Sequence, residues 1–410
     1  MSAEFRIDPA RYLREFCCRG TAGRHDQVKS TSVLNRLLSP ICFLLVATLQ
    51  FLPAKTTSID EVYSQYCPID SSENHSTYTI YPNGDLFSEI SYLQISSQTT
   101  QEGHPIAWIG SDGERNTIQA VDLVRGEIFR QFTLDVTKEG DWEAIGRGPC
   151  TEDTDGPTCL YFGNTGNNEA RFCRNQNCTR GREVVEIYKV QEPDLLQFAR
   201  NSNVTIPVAK ILIDYHHVDM PTNRADCEAI FVDPVGDYQG GKPGDLYLVT
   251  KSRADLQRLL KVPDEHKTMT SGEIKMFTAI PLAVPYNRGE SQWSGADISE
   301  SGTLIALTNG NQIKFFSRPP NMTVAEAISR APCEFSSKTK RGRMAQQFES
   351  VAFYNGDVAD ASECKDSIQC SVTVFVHGLI FESTQTSNTL QGAYPTSSPS
   401  IRKPASFRPS

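Results

Sequence analysis

Two stretches, Asp141-Trp142-Glu143-Ala144-Ile145 and Asp226-Cys227-Glu228-Ala229-Ile230, open segments written to the same pattern. Each is followed by a turn, an apolar run (residues 159–163 or 245–249), a loop and a further strand-like run (residues 185–190 or 273–277). Runs of about five β-branched and aromatic residues, punctuated by Gly, Asp and Asn, read as short strands. A unit of such strands cannot bury both of its faces alone, so repetition points to sheets packed radially around an axis. A related unit starts at residue 90, a fourth at Ser294-Gly295-Ala296-Asp297 and a fifth at Phe348-Glu349-Ser350-Val351. The fifth is short of strands, and residues 78–81 are expected to complete it, closing the ring from the N-terminal side and removing exposed edges. The prediction is an all-β β-propeller over residues 77–382, with five blades, or six if a long insertion hides one. Residues 253–267 are expected to be a polar insertion with one or two helical turns.

The flanks say where such a ring resides. Residues 1–37 form a basic polar leader, and residues 38–54 contain an apolar run from Ile41 to Leu52. A signal-peptide core is roughly 7–15 residues and a spanning helix about 20, so the run suits a cleaved signal, with a type II membrane anchor as the alternative. Either places the rest of the chain outside the cytosol, in the secretory lumen or beyond, because basic flanks stay inside. Residues 55–76 read as a linker and 383–410 as a disordered Ser/Thr/Pro-rich tail, too poor in apolar residues to offset the entropy of ordering. The basic run 338–341 reads as a solvated loop. Sequons at Asn74, Asn177, Asn203 and Asn321 are expected in exposed loops. Cys150/Cys159, Cys173/Cys178 and Cys364/Cys370 bracket short polar loops, as disulfides that staple hairpins do. Cys67, Cys227 and Cys333 leave the remaining pairing open. The formal charge of −9 offers no basic face for nucleic acid.

The Asp-Trp-Glu-Ala-Ile stretch, the loop Gly163-Asn164-Thr165-Gly166-Asn167 and the later motifs around Glu228, Asp297 and Glu349 resemble a family of secreted proteins of unknown activity. That family carries an Asp-Trp-Glu-Asp/Ala-Ile motif and a Gly-Asp-Ile-Gly-Asp-Asn loop, and the likeness spans residues 88–380. It implies a β-propeller. Asn164 and Asn167 stand where the family has Asp, which makes the loop less anionic. A second resemblance concerns layout. Secreted five-bladed calcium-activated nucleotidases (apyrases) set Ser and Glu residues at the starts of inner strands around a central calcium. Aligned on their openings, the repeats here place Ser91, Glu143, Glu228, Ala296 and Glu349 in equivalent positions; Ala296 breaks the layout, with Ser294 or Asp297 as substitutes.

In a propeller, equivalent positions of the inner strands converge on the axis. Like charges ~5 Å apart at an effective dielectric of 20 repel by about 3 kcal/mol. Three glutamates there must hold protons or bind a cation. Calcium fits best, with Ser91, Glu143, Glu228, Asp297, Glu349 and the Asn164 carbonyl as candidate ligands. Structural hydrogen bonding and a catalytic acid cluster are the alternatives. No Gly-x-Ser-x-Gly, His-Glu-x-x-His or P-loop occurs. His216 and His217 read as a solvated pair and His377 as a core histidine with some prospect of facing the channel. Arg147, Arg171 and Arg224 either grip an anionic ligand or neutralise glutamates. Trp142 and Trp293 read as packing residues. The functional expectation is a secreted or lumenal glycosylated binding module for an extracellular ligand or protein, anchored at a membrane if residues 38–54 are retained. A calcium-dependent hydrolase of nucleotides or esters is the alternative, and a glycosidase the third.

Overall fold

The computed structural model describes residues 68–80, 90–111, 116–136, 140–167, 181–198, 203–215, 226–238, 240–251, 257–286, 292–309, 312–333, 348–362 and 372–381. The leader, the apolar run 41–52, the Ser/Thr/Pro-rich tail, Asn177, His216, His217, Arg171 and Arg224 lie outside them. No helix among the described residues is long and apolar enough to cross a membrane.

The chain is all-β. After β1 (Pro68–Ile80) come β2 (Ile90–Thr99), β3 (Pro105–Ser111), β4 (Thr117–Asp122) and β5 (Glu127–Leu134), then β6 (Ala144–Pro149), β7 (Thr158–Asn164), β8 (Val184–Gln191), β9 (Asn203–Ile206) and β10 (Ala209–Asp214). The third group is β11 (Cys227–Asp233), β12 (Asp245–Thr250), β13 (Leu259–Lys261), β14 (Ile274–Thr278) and β15 (Ile280–Ala283). The rest are β16 (Gly295–Ile298), β17 (Leu304–Thr308), β18 (Ile313–Ser317), the short helix α1 (Val324–Ile328), β19 (Phe348–Tyr354), β20 (Asp357–Ser362) and β21 (Val372–Phe381).

These strands make five sheets among the described residues, each a meander whose first strand is innermost. The innermost strands pack against one another in a cycle: β2 on β6, β6 on β11, β11 on β16, β16 on β19, and β19 back on β2. The architecture is a β-propeller. Its interior is apolar on both faces of the sheets, so β3, β11, β12 and β17 are buried along their whole lengths. Close approach of β16 to β19 depends on Gly295, where a Cβ would sit 2.9 Å from the Glu349 carbonyl oxygen.

The N-terminal strand β1 pairs antiparallel with β21, with Tyr78 opposite Val374, and so lies outermost in the sheet made by the last repeat. It starts at Pro68, inside the stretch read as linker. An outermost strand has one neighbour and needs few apolar residues, so Pro-Ile-Asp-Ser-Ser-Glu-Asn-His carries no apolar signal. Asn74 therefore falls within a strand rather than a loop, and Asn203 begins β9. Asn321 is exposed in the turn before α1.

Two strands depart from the repeat pattern. β9 pairs parallel with β5 of the preceding sheet, and β14 pairs parallel with β10 in the same way. Residues 273–277 thus extend the second sheet instead of finishing the third, whose outer strand is β15. Each exchange ties neighbouring sheets by backbone hydrogen bonds. The insertion contains β13 and a 3-10 turn over Asp264–Thr268. Lys189 donates to the carbonyls of His266, Lys267 and Met269 at 2.8–3.3 Å, joining that turn to β8.

Of the three expected hairpin staples, Cys150 and Cys159 form their disulfide across the β6–β7 hairpin. The other two expected pairs, Cys173 with Cys178 and Cys364 with Cys370, are made of cysteines that all lie outside the described residues. Cys227 is a buried free thiol, and Cys333 is disulfide-bonded.

A buried cation fastens the fourth sheet to the third. Arg318, 4% exposed, pairs with Asp233 at 2.9 Å and donates to the carbonyls of Gly236, Gly302 and Met322. Removing one member of a buried pair costs ~3–5 kcal/mol because the other charge is stranded. Arg318→Ala is therefore expected to lower the urea unfolding free energy by that amount; a loss under about 1 kcal/mol, the value of a surface pair, would refute the bridging role.

Candidate functional site

The starts of the inner strands converge as their alignment requires. Ser91, Glu143, Glu228, Ala296 and Glu349 line one axial cavity of about 10 Å³, room for a single water or ion. Ser91, Glu228 and Glu349 each lie at a register shift of their strand, and two positions further along every inner strand comes a second set of residues. Those positions are Leu93, Ile145, Ile230, Ile298 and Val351, an entirely aliphatic layer. Four of its members bound the same cavity. The acidic ring is thus sealed on one side by hydrocarbon and reached from the loops on the other.

Those loops are built by the motif residues. Gly166 lies so close to the acids that a Cβ there would sit 2.4 Å from the Asp141 carboxyl carbon and 2.6 Å from Glu143 Cγ; only glycine allows the approach. The Gly166 N–H donates to the Asp141 carbonyl and the Glu143 N–H to the Gly163 carbonyl, fixing the glutamate at the mouth of β6. Asp226 accepts the Asn167 N–H at 2.6 Å, tying the loop to the start of β11. Trp142 is buried, stacked on Tyr188 at 5.0 Å, and Trp293 packs edge-on against Phe316, both as packing residues.

Burial is the first cause raising the Glu143 carboxyl well above its ordinary range, and the charges of Glu228 and Asp141 add to it. Glu228 is pushed up to about 8, again chiefly by burial, with Asp226 and Glu349 raising it further and Lys251 opposing. Lys251, at the end of β12, forms an ion pair with Glu228. Its role was not evident in sequence because nothing in the run Asp245-Leu246-Tyr247-Leu248-Val249-Thr250-Lys251 distinguishes it from an exposed lysine ending a strand. Ser350, 4% exposed and lining the cavity, has a buried hydroxyl with no hydrogen-bond partner among the described residues.

Two candidate ligands lie elsewhere. Asp297 follows Ala296, which holds the axial place, so alternation turns Asp297 away from the glutamates. Its carboxylate accepts the Phe353 N–H at 2.7 Å and the Gln94 amide at 3.2 Å. The Asn164 side-chain oxygen accepts from the Asp141 N–H and from Arg182, both at 2.8 Å, and its amide nitrogen donates to Glu186 at 3.1 Å. Asn167 likewise exchanges two hydrogen bonds with the Arg182 backbone. An amide can both donate and accept in these places and an aspartate cannot, which explains Asn at both. His377 lies in β21, two strands out from the axis, and not on the channel. Arg147 stands beyond the aliphatic layer, away from the glutamates. Among the described residues no three His, Cys, Asp or Glu side chains form a ready metal cluster.

No family model matches the chain, and no curated protein matches it. Among solved structures it is similar to a humanized mutant of the Chaetomium thermophilum Polycomb Repressive Complex 2 bound to an inhibitor, at 9% identity and a TM-score of 0.31. The match covers 70% of this chain and 51% of that one, so this chain spans about half its length. Similarity of that order bears on neither activity nor partner.

The raised carboxyls set a pH dependence. An unfolded glutamate releases its proton near 4.5, whereas folded Glu228 holds it to about 8. The native state therefore binds the extra proton, and the stability this supplies is present below 4.5 and lost as pH rises through about 8. In metal-free buffer the Tm is expected to fall across that window. Glu228→Gln, which keeps an acceptor for Lys251, should flatten the slope, and a wild-type Tm that climbs throughout would contradict the assignment.

Proposed function

We propose that the chain is a five-bladed β-propeller of the secretory pathway that serves as a binding module, with a calcium ion held on its axis by Glu143, Glu228, Glu349 and Ser91. The observation that carries this reading is the convergence of those four side chains on one ion-sized cavity. The donors are hard oxygens, the kind calcium takes in sets of about six to eight. The buried hydroxyl of Ser350 offers another. The count of five blades is supported by the cycle of inner-strand contacts. The secretory compartment is supported by the disulfide at Cys150–Cys159, since cytosolic conditions keep thiols reduced. Glycosylation is proposed first at Asn321, the exposed sequon.

A second reading rests on the Lys251–Glu228 pair and the Asp141–Glu143 contact. In it the ring shares protons and an internal ammonium, and no metal is needed. The two separate cleanly. With calcium bound, saturating calcium at neutral pH raises the Tm, chelator lowers it, and Glu143→Gln removes the difference. An unchanged melting curve with and without chelator leaves the proton-sharing ring. Turnover of nucleoside diphosphates, aryl esters or aryl glycosides that disappears in Glu228→Gln would replace the binding module with a hydrolase.

A further inference from the structure

Beyond the aliphatic layer the channel opens again. A cavity of about 440 Å³ lies there, within the usual size of small-molecule sites, roughly 300–1,000 Å³. Its lining draws on the far ends of all five inner strands, through Gln94, Arg147, Val232, Asp297, Ile298 and Phe353. Arg147 lies four positions beyond Glu143 along the chain, about 13 Å in extended backbone, so the two cavities are distinct. The hairpin between β6 and β7 makes one wall, and the Cys150–Cys159 disulfide closes that hairpin. A stapled wall is preorganised, which lowers the entropy cost of binding.

Arg147 is the charged group facing this space with the least committed bonding. Its side chain is 18% exposed, and its ion pair is with Glu300 at 3.4 Å, whose own side chain is 84% exposed. A pair of that kind is screened and weak. Glu300 can therefore swing into water and leave the guanidinium fork to a ligand. Asp297 also lines this cavity and lies within electrostatic reach of Arg147, but the hydrogen bonds of its carboxylate run to the Phe353 N–H and the Gln94 amide. Gln94, 2% exposed, donates one amide hydrogen to Asp297 and accepts the Ile95 N–H at its oxygen. A primary amide carries two donors, so one remains. Val232, Ile298 and Phe353 supply apolar wall beside these groups.

We propose that this cavity binds a small carboxylate with an apolar body, its carboxylate forked by Arg147 and its hydrocarbon against Val232, Ile298 and Phe353. Arg matches a planar carboxylate bidentately, which a lysine does not. The site is separate from the axial glutamates and does not depend on calcium.

The test uses the purified full chain, calorimetry, and three probes of graded size: octanoate, 3-phenylpropionate and 1-naphthoate, each beside its neutral primary amide. At least one carboxylate should bind, and its amide at least about tenfold more weakly, the loss expected for one charge-assisted interaction. Arg147→Gln should abolish that preference with an unchanged Tm, while Glu300→Gln should keep or strengthen binding. Chelator, which acts on the other cavity, should leave it alone. If no carboxylate binds at millimolar concentration, if acid and amide bind equally, or if Arg147→Gln preserves the preference in a folded protein, the proposal fails.

Discussion

Because the innermost strands run side by side around one axis, any residue type repeated at one position of each unit is brought together with its copies. That constraint organises the interior into layers. At the first level it gathers three glutamates and a serine, at the second five aliphatic side chains, and at the third Arg147, Val232 and Phe353. The order is that of Glu143, Ile145 and Arg147 along the second unit, with register shifts at Ser91, Glu228 and Glu349 in the others. The middle layer is the one that makes the others possible. It isolates an acidic pocket of ionic size from a larger cavity of mixed character, so that the two can have different occupants on one axis.

The acidic layer could not persist on repulsion alone. Burial raises Glu143 and Glu228 toward the protonated form, Asp141 lies against Glu143, and Lys251 supplies one positive charge. Around it the fold spends its polar groups on rigidity: the two asparagines and Arg182 weave the loop that carries Asp141, and Gly166 removes the bulk that would keep the acids apart. The sheets themselves are interlocked by β9 and β14, each of which crosses to the preceding sheet. Such crossings make the rim of one sheet depend on its neighbour, and they stiffen the frame that the axial residues need.

Some of this was legible in the residues. The propeller class and the axial position of Ser91, Glu143, Glu228 and Glu349 followed from the recurrence of one short motif, since register in a strand is rigid once its buried face is known. Asp297 was misread for the same reason: a shift of one residue sends a side chain to the opposite face, and Ala296 already occupied the axis. Residues 273–277, which form β14, read as part of their own unit because sequence order predicts neighbours and carries no mark of an exchange. The start of β1 was missed because an outermost strand asks little of its composition. Lys251 looks in sequence like an ordinary surface cation, while Arg147 reads as either gripping an anionic ligand or neutralising glutamates; the convergence of strands shows that Lys251 meets a buried glutamate and that Arg147 faces a cavity away from the axial glutamates.

The contrast between those two cations also explains why the ends of the channel differ chemically. Lys251 is bonded to a carboxylate in a space too small for anything but a water or an ion, so its charge is consumed internally. Arg147 faces a volume some forty times larger, and its ion pair is with a solvated partner. A buried charge that is fully paired adds to a scaffold; one left with a weak, exposed partner beside an apolar cavity has interaction energy in reserve. By that criterion the glutamate end of the axis holds the propeller together, and the arginine end is where a second molecule has something to gain.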